Sequence, residues 1–200
     1  MLTRDTALIM AAGFFYMGST MLANPLVAGY GELLGAGGAV MGFIGGAMSL
    51  CSLLLRPFIG NLTDRISKYR LSMVGGGFML VACVGYVFSR GIPVLMVSRF
   101  LHGAGMALCS VSISTWMAEL LPPDKIGSGM GVYGTMNALA MAVAPYIGVT
   151  VNERYGYRAA FAVALVFAAG VMLSAWFVKN KGIPAPRDPA RKREIGRAHV

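Results

Sequence analysis

Six long stretches that contain no Asp, Glu, Lys or Arg residue constrain the fold of this chain more than any other feature. Each stretch is close to the ~20 apolar residues that a helix needs to cross the hydrocarbon core of a membrane. A further apolar segment precedes the fourth stretch, so its helix is expected to begin near Pro93 and to contain Arg99. The sequence therefore predicts an all-α membrane protein with six transmembrane helices within residues 1–178. The stretches cover residues 6–31, 33–55, 71–89, 100–118, 126–152 and 159–178.

The Lys and Arg residues between these stretches predict how the helices are oriented. With six helices both termini lie on one side of the membrane, and twelve of the seventeen Lys and Arg residues fall on that side. Only Arg90, Arg154 and Arg158 fall in connections on the other side. Because cytoplasmic loops are enriched in Lys and Arg, both termini are expected to be cytoplasmic. We expect a multi-pass protein of a plasma membrane, of the kind found in the inner membrane of bacteria.

Charge placement and cysteine positions argue against several classes of protein. The net charge of +9 does not indicate nucleic-acid binding, because the bases flank apolar stretches instead of forming one basic face. Cys51, Cys83 and Cys109 lie in three different stretches, which predicts no metal site and no cofactor. An intramembrane enzyme would need a nucleophile and a base on facing helices. Ser110 and His102 lie on one helix, so no enzymatic activity is predicted.

Glycines and prolines within the stretches indicate how the helices pack. Small residues recur on helix 2 and at the start of helix 5, where they let another helix approach closely. Pro25 is expected to interrupt helix 1 and Pro145 to interrupt helix 5, with a neighbouring helix or a cavity satisfying the freed carbonyl. The glycines of helix 2 are Gly42, Gly45 and Gly46, and those of helix 5 are Gly127, Gly129, Gly131 and Gly134.

A compact charged cluster, RPFIGNLTDRISKYR, separates the second and third stretches. Pro57 and Gly60 are expected to end helix 2, with Asp64 and Arg65 in a tight connection and two further bases just before helix 3. The preference of cytoplasmic loops for bases does not account for the acid. Asp64 among bases predicts an ion pair or a helix-end contact. A breakable contact of this kind suits a protein that alternates between two packings.

The end of this cluster, GNLTDRISKYR, resembles the loop motif G-x-L-x-D-R-x-G-R-R/K between helices 2 and 3 of the major facilitator superfamily of transporters. Ser67 stands where that motif has its second glycine. The segment RFLHGAGMAL resembles the helix 4 motif R-x-x-x-G-x-G of the superfamily, and GYRAAF resembles the usual entry to helix 6. The matching residues are Gly60, Leu62, Asp64 and Arg65 in the loop, Lys68 and Arg70 at its basic end, and Arg99, Gly103 and Gly105 in helix 4.

The resemblance covers residues 1–193 and implies half of a secondary carrier, built of two inverted three-helix repeats. Asp64 would hold the cytoplasmic side closed against a second, missing C-terminal half. Helices 1 and 4 would line the cavity, and helices 2 and 5 would touch that half. Pro145 and Gly148 keep part of the helix 5 pattern G-P-x-x-G-G of exporters. We therefore expect proton-coupled export of a small organic molecule across a lipid bilayer.

Four polar residues inside the predicted helices are candidates for contact with a substrate or a coupling proton. Arg99 lies roughly 10 Å into helix 4 at about 1.5 Å per residue, where a charge is costly and by default functional. The alternative for Arg99 is a side chain that snorkels to the interface. His102 can titrate with a transported proton or pack as a polar group. Asn24 and Asn137 can donate to a substrate or join helices, whereas Trp116 is expected to anchor helix 4 at the interface.

The residues after the sixth stretch predict two further segments. Residues 179–193 are basic and Pro-rich, and they resemble the start of the cytoplasmic linker between the halves of such transporters. Residues 194–200, EIGRAHV, look like the in-frame translation of a sequencing adapter, which predicts a truncated gene. A natural tail is the alternative. Two other interpretations stay open, namely a half-size transporter that acts as a homodimer and a non-transporting membrane scaffold.

Overall fold

The computed structural model of the chain describes residues 3–184 as six long α-helices and one short 3₁₀ turn. All six helices are long and apolar enough to cross a membrane, and residues 3–184 contain no strand. The prediction of an all-α membrane protein with six transmembrane helices is thereby confirmed. The predicted adapter-derived residues 194–200 and most of the predicted linker lie outside the described residues. The helices are α1 (Arg4–Leu33), α2 (Gly38–Thr63), α3 (Lys68–Phe88), α4 (Ile92–Leu120), α5 (Ile126–Tyr155) and α6 (Tyr157–Phe177), with the turn at Pro123–Lys125.

The prolines lie inside continuous helices, contrary to prediction. Helix α2 runs through Pro57 and Gly60 to Thr63, so the prediction that these two residues end the helix is wrong. The Thr63 hydroxyl donates to the Gly60 carbonyl at 2.7 Å in the last turn. Helices α1 and α5 likewise continue through Pro25 and Pro145. A proline removes one backbone donor, whereas unwinding a helix in lipid would expose many, which favours the continuous helix.

Local sequence sets the starts of several helices. Ser67 occupies the position before α3, and its hydroxyl accepts a hydrogen bond from the Arg70 amide at 3.3 Å. This serine therefore caps the helix in place of the motif glycine. A single residue, Gly156, joins α5 to α6, and its φ of 81° is a left-handed conformation that favours glycine.

The helices alternate in direction, which brings both described ends of the chain to one end of the bundle. There the Asp5 carboxylate of α1 accepts hydrogen bonds from the amides of Lys179 and Asn180, directly after α6. We call this the terminal end. At the opposite end the Tyr30 hydroxyl of α1 donates to the Ser89 carbonyl after α3 at 2.7 Å.

The packing of the helices repeats between the two halves of the sequence. Helix α1 packs against α5 and α6, and α4 packs in the same way against α2 and α3. Helices α1 and α4 also contact each other at the centre, as do α3 and α6. Helices α1, α2 and α3 therefore have neighbours equivalent to those of their counterparts α4, α5 and α6, apart from the one pair described next. This is the pattern expected of two three-helix repeats. One pairing breaks the pattern, because α5 packs along α6 while α2 hardly touches α3.

Glycines set the closest helix crossings. A Cβ atom at Gly103 would collide with the Met48 carbonyl of α2, and one at Gly148 would lie 2.8 Å from the Leu22 carbonyl of α1. These two crossings, α4 with α2 and α5 with α1, are equivalent in the two repeats. A Cβ atom at Gly105 would lie 2.6 Å from the Gly75 carbonyl of α3. Small residues thus allow backbone contact where the repeats interlock.

Helices α2 and α5 are the least buried in the bundle. Within the most apolar part of each helix, 22% of residues are buried in α2 and 17% in α5, against 39–61% in the other four. Most glycines of these two helices face open space, with no neighbouring helix within 4 Å of where a Cβ atom would be. Gly129 and Gly148 of α5 are exceptions, since they pack on Leu121 and on Leu22. The open glycines are Gly38, Gly42, Gly45, Gly46 and Gly60 in α2, and Gly127, Gly131 and Gly134 in α5.

Candidate functional site

Arg99 lies at the junction of α1, α2 and α4 and is fully buried. Its Nε donates to the Ile44 carbonyl at 2.9 Å, and its Nη2 donates to the Gly45 carbonyl at 2.8 Å. Nη2 also donates to Asn24 Oδ1 of α1 at 3.0 Å, and Nη1 lies 3.6 Å from Met48 Sδ. Among residues 3–184 no carboxylate pairs with the guanidinium. Backbone carbonyls therefore compensate most of its charge, and each hydrogen bond to a charged group contributes about 1.5–3 kcal/mol.

Asn24 connects this buried arginine to the exposed surface of α1. The Asn24 side chain is exposed although its Oδ1 accepts from Arg99. Its Nδ2 has no hydrogen-bond partner within the part of the chain that the structure describes. An exposed amide that is fixed at one atom and free at the other can donate a hydrogen bond to a ligand.

His102 lies one turn further along α4 and points toward α3. Its Nδ1 is 3.3 Å from the Tyr86 hydroxyl, which in turn donates to the Ser98 carbonyl at 3.3 Å. The ring packs beside the Tyr86 ring, with the centroids 5.7 Å apart. His102 is fully buried, and its Nε2 has no partner among the described residues. The histidine thus combines a packed ring with one unused polar atom.

A second polar group lies between α1 and α5. Asn137 is half-buried, and its Oδ1 lies beside Gly13, where a Cβ atom would approach it to 3.1 Å. Tyr133 packs over the same glycine, with Tyr16 as its neighbour on α1. Within residues 3–184 neither Asn137 Oδ1 nor the Tyr133 hydroxyl has a hydrogen-bond partner of good geometry. Unpaired polar atoms are costly inside a bundle, so this cluster can accept water or a ligand.

The structure does not bring these candidates into one cluster. Counted along α4 at about 1.5 Å per residue, Arg99 lies roughly 10 Å and His102 roughly 15 Å from the opposite end. Asn24 of α1 is hydrogen-bonded to Arg99. Asn137 lies about 16 Å into α5 from the terminal end by the same measure. Both groups contact α1, Arg99 through Asn24 and Asn137 beside Gly13.

Asp64 and Arg65 lie at the terminal end, directly after α2. Both side chains are exposed, and Asp64 forms no ion pair within residues 3–184. The Arg65 amide donates to the Leu62 carbonyl at 3.0 Å, which closes the turn. The predicted contact of Asp64 is therefore not made inside the described bundle, and its carboxylate is free for a partner beyond it.

Lys68 differs from the other bases of the motif. It is the first residue of α3, is 3% exposed, and its Nζ lies 2.7 Å from Glu119 Oε1 at the end of α4. Arg70, two residues on, is exposed. Lys68 thus joins α3 to α4, which residue spacing alone does not reveal because Glu119 is 51 positions away.

Trp116 holds the chain that leaves α6. It is 1% exposed, so the prediction of an anchor at the membrane interface is wrong. Its indole Nε1 donates to the Asn180 carbonyl at 2.9 Å. The first turn of α3 also holds the segment that follows α6, since the Lys68 amide donates to the Gly182 carbonyl at 3.0 Å. Together with the Asp5 contacts, these bonds hold residues 179–182 in place. We term residues 179–184 the docked segment.

The sequence of the chain is similar to those of known membrane transporters. The model of the family described as Major Facilitator Superfamily matches residues 9–199. An uncharacterized MFS-type transporter of Mycobacterium tuberculosis is 27% identical over 174 residues, which are 84% of this chain and 30% of that protein. The staphylopine export protein of Staphylococcus aureus is 22% identical over 154 residues, 77% of this chain and 38% of that protein.

A crystal structure of a peptide transporter of the POT type, in complex with sulfate, has the same fold. It superposes with a TM-score of 0.84 at 18% identity, covering 98% of this chain and 43% of that one. The chain therefore spans less than half the length of the proteins it resembles.

Proposed function

The chain belongs to the major facilitator superfamily, a family of membrane transporters, and we propose that it forms one six-helix half of a secondary carrier. In this proposal a second six-helix half packs against α2 and α5. The two halves rock around a site near α1 and α4, so that the site opens to each side of the membrane in turn.

The open faces of α2 and α5 are the observation that carries this proposal. These two helices have the smallest buried fractions, and most of their glycines meet no neighbouring helix. Glycines that pack inside the bundle mark close crossings, as at Gly103 of α4 and Gly148 of α5. In lipid, exposed small residues contribute little unless another helix packs on them.

Asp64 is proposed as the gate contact between the two halves. Its exposed carboxylate and the exposed Arg65 lie at the terminal end, which the base-rich loops favour as the cytoplasmic side. A carboxylate without a partner in its own half can pair with a base or a helix N-terminus of the other half. Opening the cytoplasmic side would then break that pair.

The proposed path for substrate and proton uses both polar groups. Asn24 presents its free amide nitrogen next to Arg99, which favours a small organic molecule with an acceptor or anionic group. Asn137 Oδ1, close to Tyr133, makes no hydrogen bond of good geometry among the described residues and offers an acceptor on the α5 side. His102 has an unused ring nitrogen, which supports a role in proton transfer. Export is favoured by the partial exporter pattern at Pro145 and Gly148 and by the likeness to the staphylococcal export protein.

The test begins with the gene and ends with a transport assay. Source DNA read beyond the codon of Arg193 is expected to continue into six more apolar stretches.

The product of that whole gene is placed in everted membrane vesicles whose lumen has been acidified by respiration, with acridine orange as the pH dye. A compound that is exported in exchange for protons restores the dye fluorescence, and a panel of small organic anions and neutral metabolites is screened first.

Two variants then separate the gate from general effects of charge. Asp64→Asn is expected to slow fluorescence recovery at least tenfold, because it removes the charge but keeps the size of the side chain. Asp124→Asn removes an exposed acid at the same end outside the motif and is expected to leave the rate unchanged. If fluorescence recovers at the wild-type rate with Asp64→Asn, Asp64 does not act as the gate contact.

A homodimer of half-size transporters is the alternative that the open faces also support. A stop codon directly after the present chain, together with cross-linking of two copies through a cysteine at exposed Leu54, would favour it. Intact vesicles that never respond to any compound would favour a membrane scaffold.

A further inference from the structure

The broken symmetry between the two repeats leaves a groove between α2 and α3. Helices α5 and α6 pack along each other, but the equivalent α2 and α3 make almost no contact beyond the short connection that joins them at the terminal end. The resulting groove has a volume of about 920 Å³. Its apolar walls are Leu62 of α2, Leu71 and Val74 of α3, Leu108 of α4 and Ile183 of the docked segment.

Three bases line the mouth of this groove at the terminal end, namely Arg65, Arg70 and Lys181. Arg65 and Arg70 have no acidic partner within residues 3–184. Lys181 Nζ donates to the Trp176 carbonyl at 2.8 Å and lies 4.0 Å above the Tyr69 ring, so it is oriented but not neutralised.

The acids near the mouth do not cancel this charge. Glu119 is paired with Lys68 at 2.7 Å, Asp5 accepts from the amides of the docked segment, and Asp64 does not line the groove. The groove therefore combines an apolar floor within the membrane-spanning helices with unpaired positive charge at their end.

We propose that this groove binds one anionic phospholipid of the leaflet at the terminal end, with an acyl chain along Val74 and Leu108 and the phosphate at Arg65, Arg70 and Lys181. Guanidinium groups match phosphate geometry, and basic pockets between helices suit anionic headgroups. The occupant is a lipid because the apolar walls lie on helices that cross the membrane, where acyl chains already surround the protein. The site is separate from the transport path and does not depend on the proposed function.

The test is native mass spectrometry of the detergent-solubilised chain titrated with phosphatidylglycerol and with phosphatidylcholine of the same acyl chains. Phosphatidylglycerol is expected to bind at least tenfold more tightly. The double variant Arg65→Gln/Arg70→Gln is expected to weaken that binding roughly thirtyfold, since each base near an anionic lipid contributes about a factor of five. Equal affinity for the two lipids would overturn the proposal.

The matched control removes two bases from the same end outside the groove. Lys125→Gln/Lys179→Gln has the same change in net charge, and both lysines are exposed. Phosphatidylglycerol binding is expected to change less than threefold in this control. If the control lost as much affinity as the arginine variant, the lipid would be attracted by the overall positive charge of the protein and not by the bases of the groove. Thermal unfolding of each variant verifies that it is folded.

Two further measurements test the groove itself. Val74→Phe narrows it without a change of charge, at a position that is 49% exposed, and is expected to weaken phosphatidylglycerol binding at least fivefold. Unchanged binding would contradict the acyl-chain position. Glycerol 3-phosphate is expected not to displace the lipid. Displacement at equal concentration would show that the three bases bind a soluble phosphate compound and not a lipid.

Discussion

At the scale of single residues, Arg99 shows how a buried charge can be stabilised without an acid. Its planar guanidinium reaches carbonyls on α2 and the Asn24 amide on α1 at once, at 2.8–3.0 Å. A lysine has three donors on one atom and cannot span both helices. This geometry makes Arg99 a cross-link between three helices as well as a candidate for substrate contact.

Arg99→Lys is therefore expected to lower the free energy of unfolding by about 1–3 kcal/mol, because at least one buried carbonyl loses its donor. Thermal unfolding in detergent, followed by circular dichroism, measures the change. Arg158→Lys is the matched control, since Arg158 is exposed at the opposite end of the bundle. Equal unfolding temperatures for the two variants would contradict the cross-link.

Gly103 gives a second residue-scale prediction. Gly103→Ala is expected to destabilise the chain by about 1–3 kcal/mol, because a Cβ atom there meets the Met48 carbonyl, which cannot move without shifting α2. Gly46→Ala adds the same methyl group in open space and is expected to be neutral or slightly stabilising through helix propensity. The difference between the two unfolding temperatures is the measurement, and a neutral Gly103→Ala would disprove the close crossing.

At the scale of elements, the docked segment ties four helices together at the terminal end. It is held by Asp5 of α1, by the first turn of α3, by Trp116 of α4 and by its own attachment to α6. Gly182 adopts a φ of 54° there and leaves space that Trp116 fills. The segment thus completes the hydrogen bonding of the α3 N-terminus, whose first amides have no partner within the helix.

Asp5→Ala is expected to release this segment, because it removes the acceptor for two amides. Amide hydrogen exchange measured by mass spectrometry should rise at least tenfold for the peptide covering residues 179–184 and stay unchanged in the middle of α6. Asp124→Ala removes an exposed acid that makes no contact with the segment and serves as the control. Unchanged exchange in the Asp5 variant would show that the other bonds suffice.

At the scale of the whole molecule, the open glycines predict an assembly effect that is independent of stability. Gly46→Leu/Gly131→Leu is expected to leave the unfolding temperature of the chain within about 2 °C, since both positions face open space. The same variant is expected to prevent co-purification with a tagged second half expressed as a separate polypeptide. Val81→Leu/Val166→Leu, on exposed positions of α3 and α6, is the control. Normal assembly of the glycine variant would contradict the proposed interface.

Much of this architecture could be predicted from sequence because lipid leaves few alternatives. A charge-free stretch of about 20 residues must satisfy its own backbone, so the number and type of elements follow from the apolar runs. The same rule explains why Pro57 fails as a helix end. Contacts such as Lys68 with Glu119, or Trp116 with Asn180, join residues 51 and 64 positions apart, and no local pattern specifies them. Two acceptors of Arg99, the Ile44 and Gly45 carbonyls, are backbone atoms, which carry no sequence signal at all.

The docked segment also changes the geometry of any tether that continues from it. Residues 179–182 are held beneath α3 and α4, away from the end of α6, by bonds to Trp116 and to the first turn of α3. The span of a flexible tether grows only with the square root of its free length, so these held residues shift the origin of a tether and shorten its reach. A shorter free tether raises the local concentration of the domain it carries. Four hydrogen-bonded residues can therefore set how often a tethered partner meets the open faces of α2 and α5.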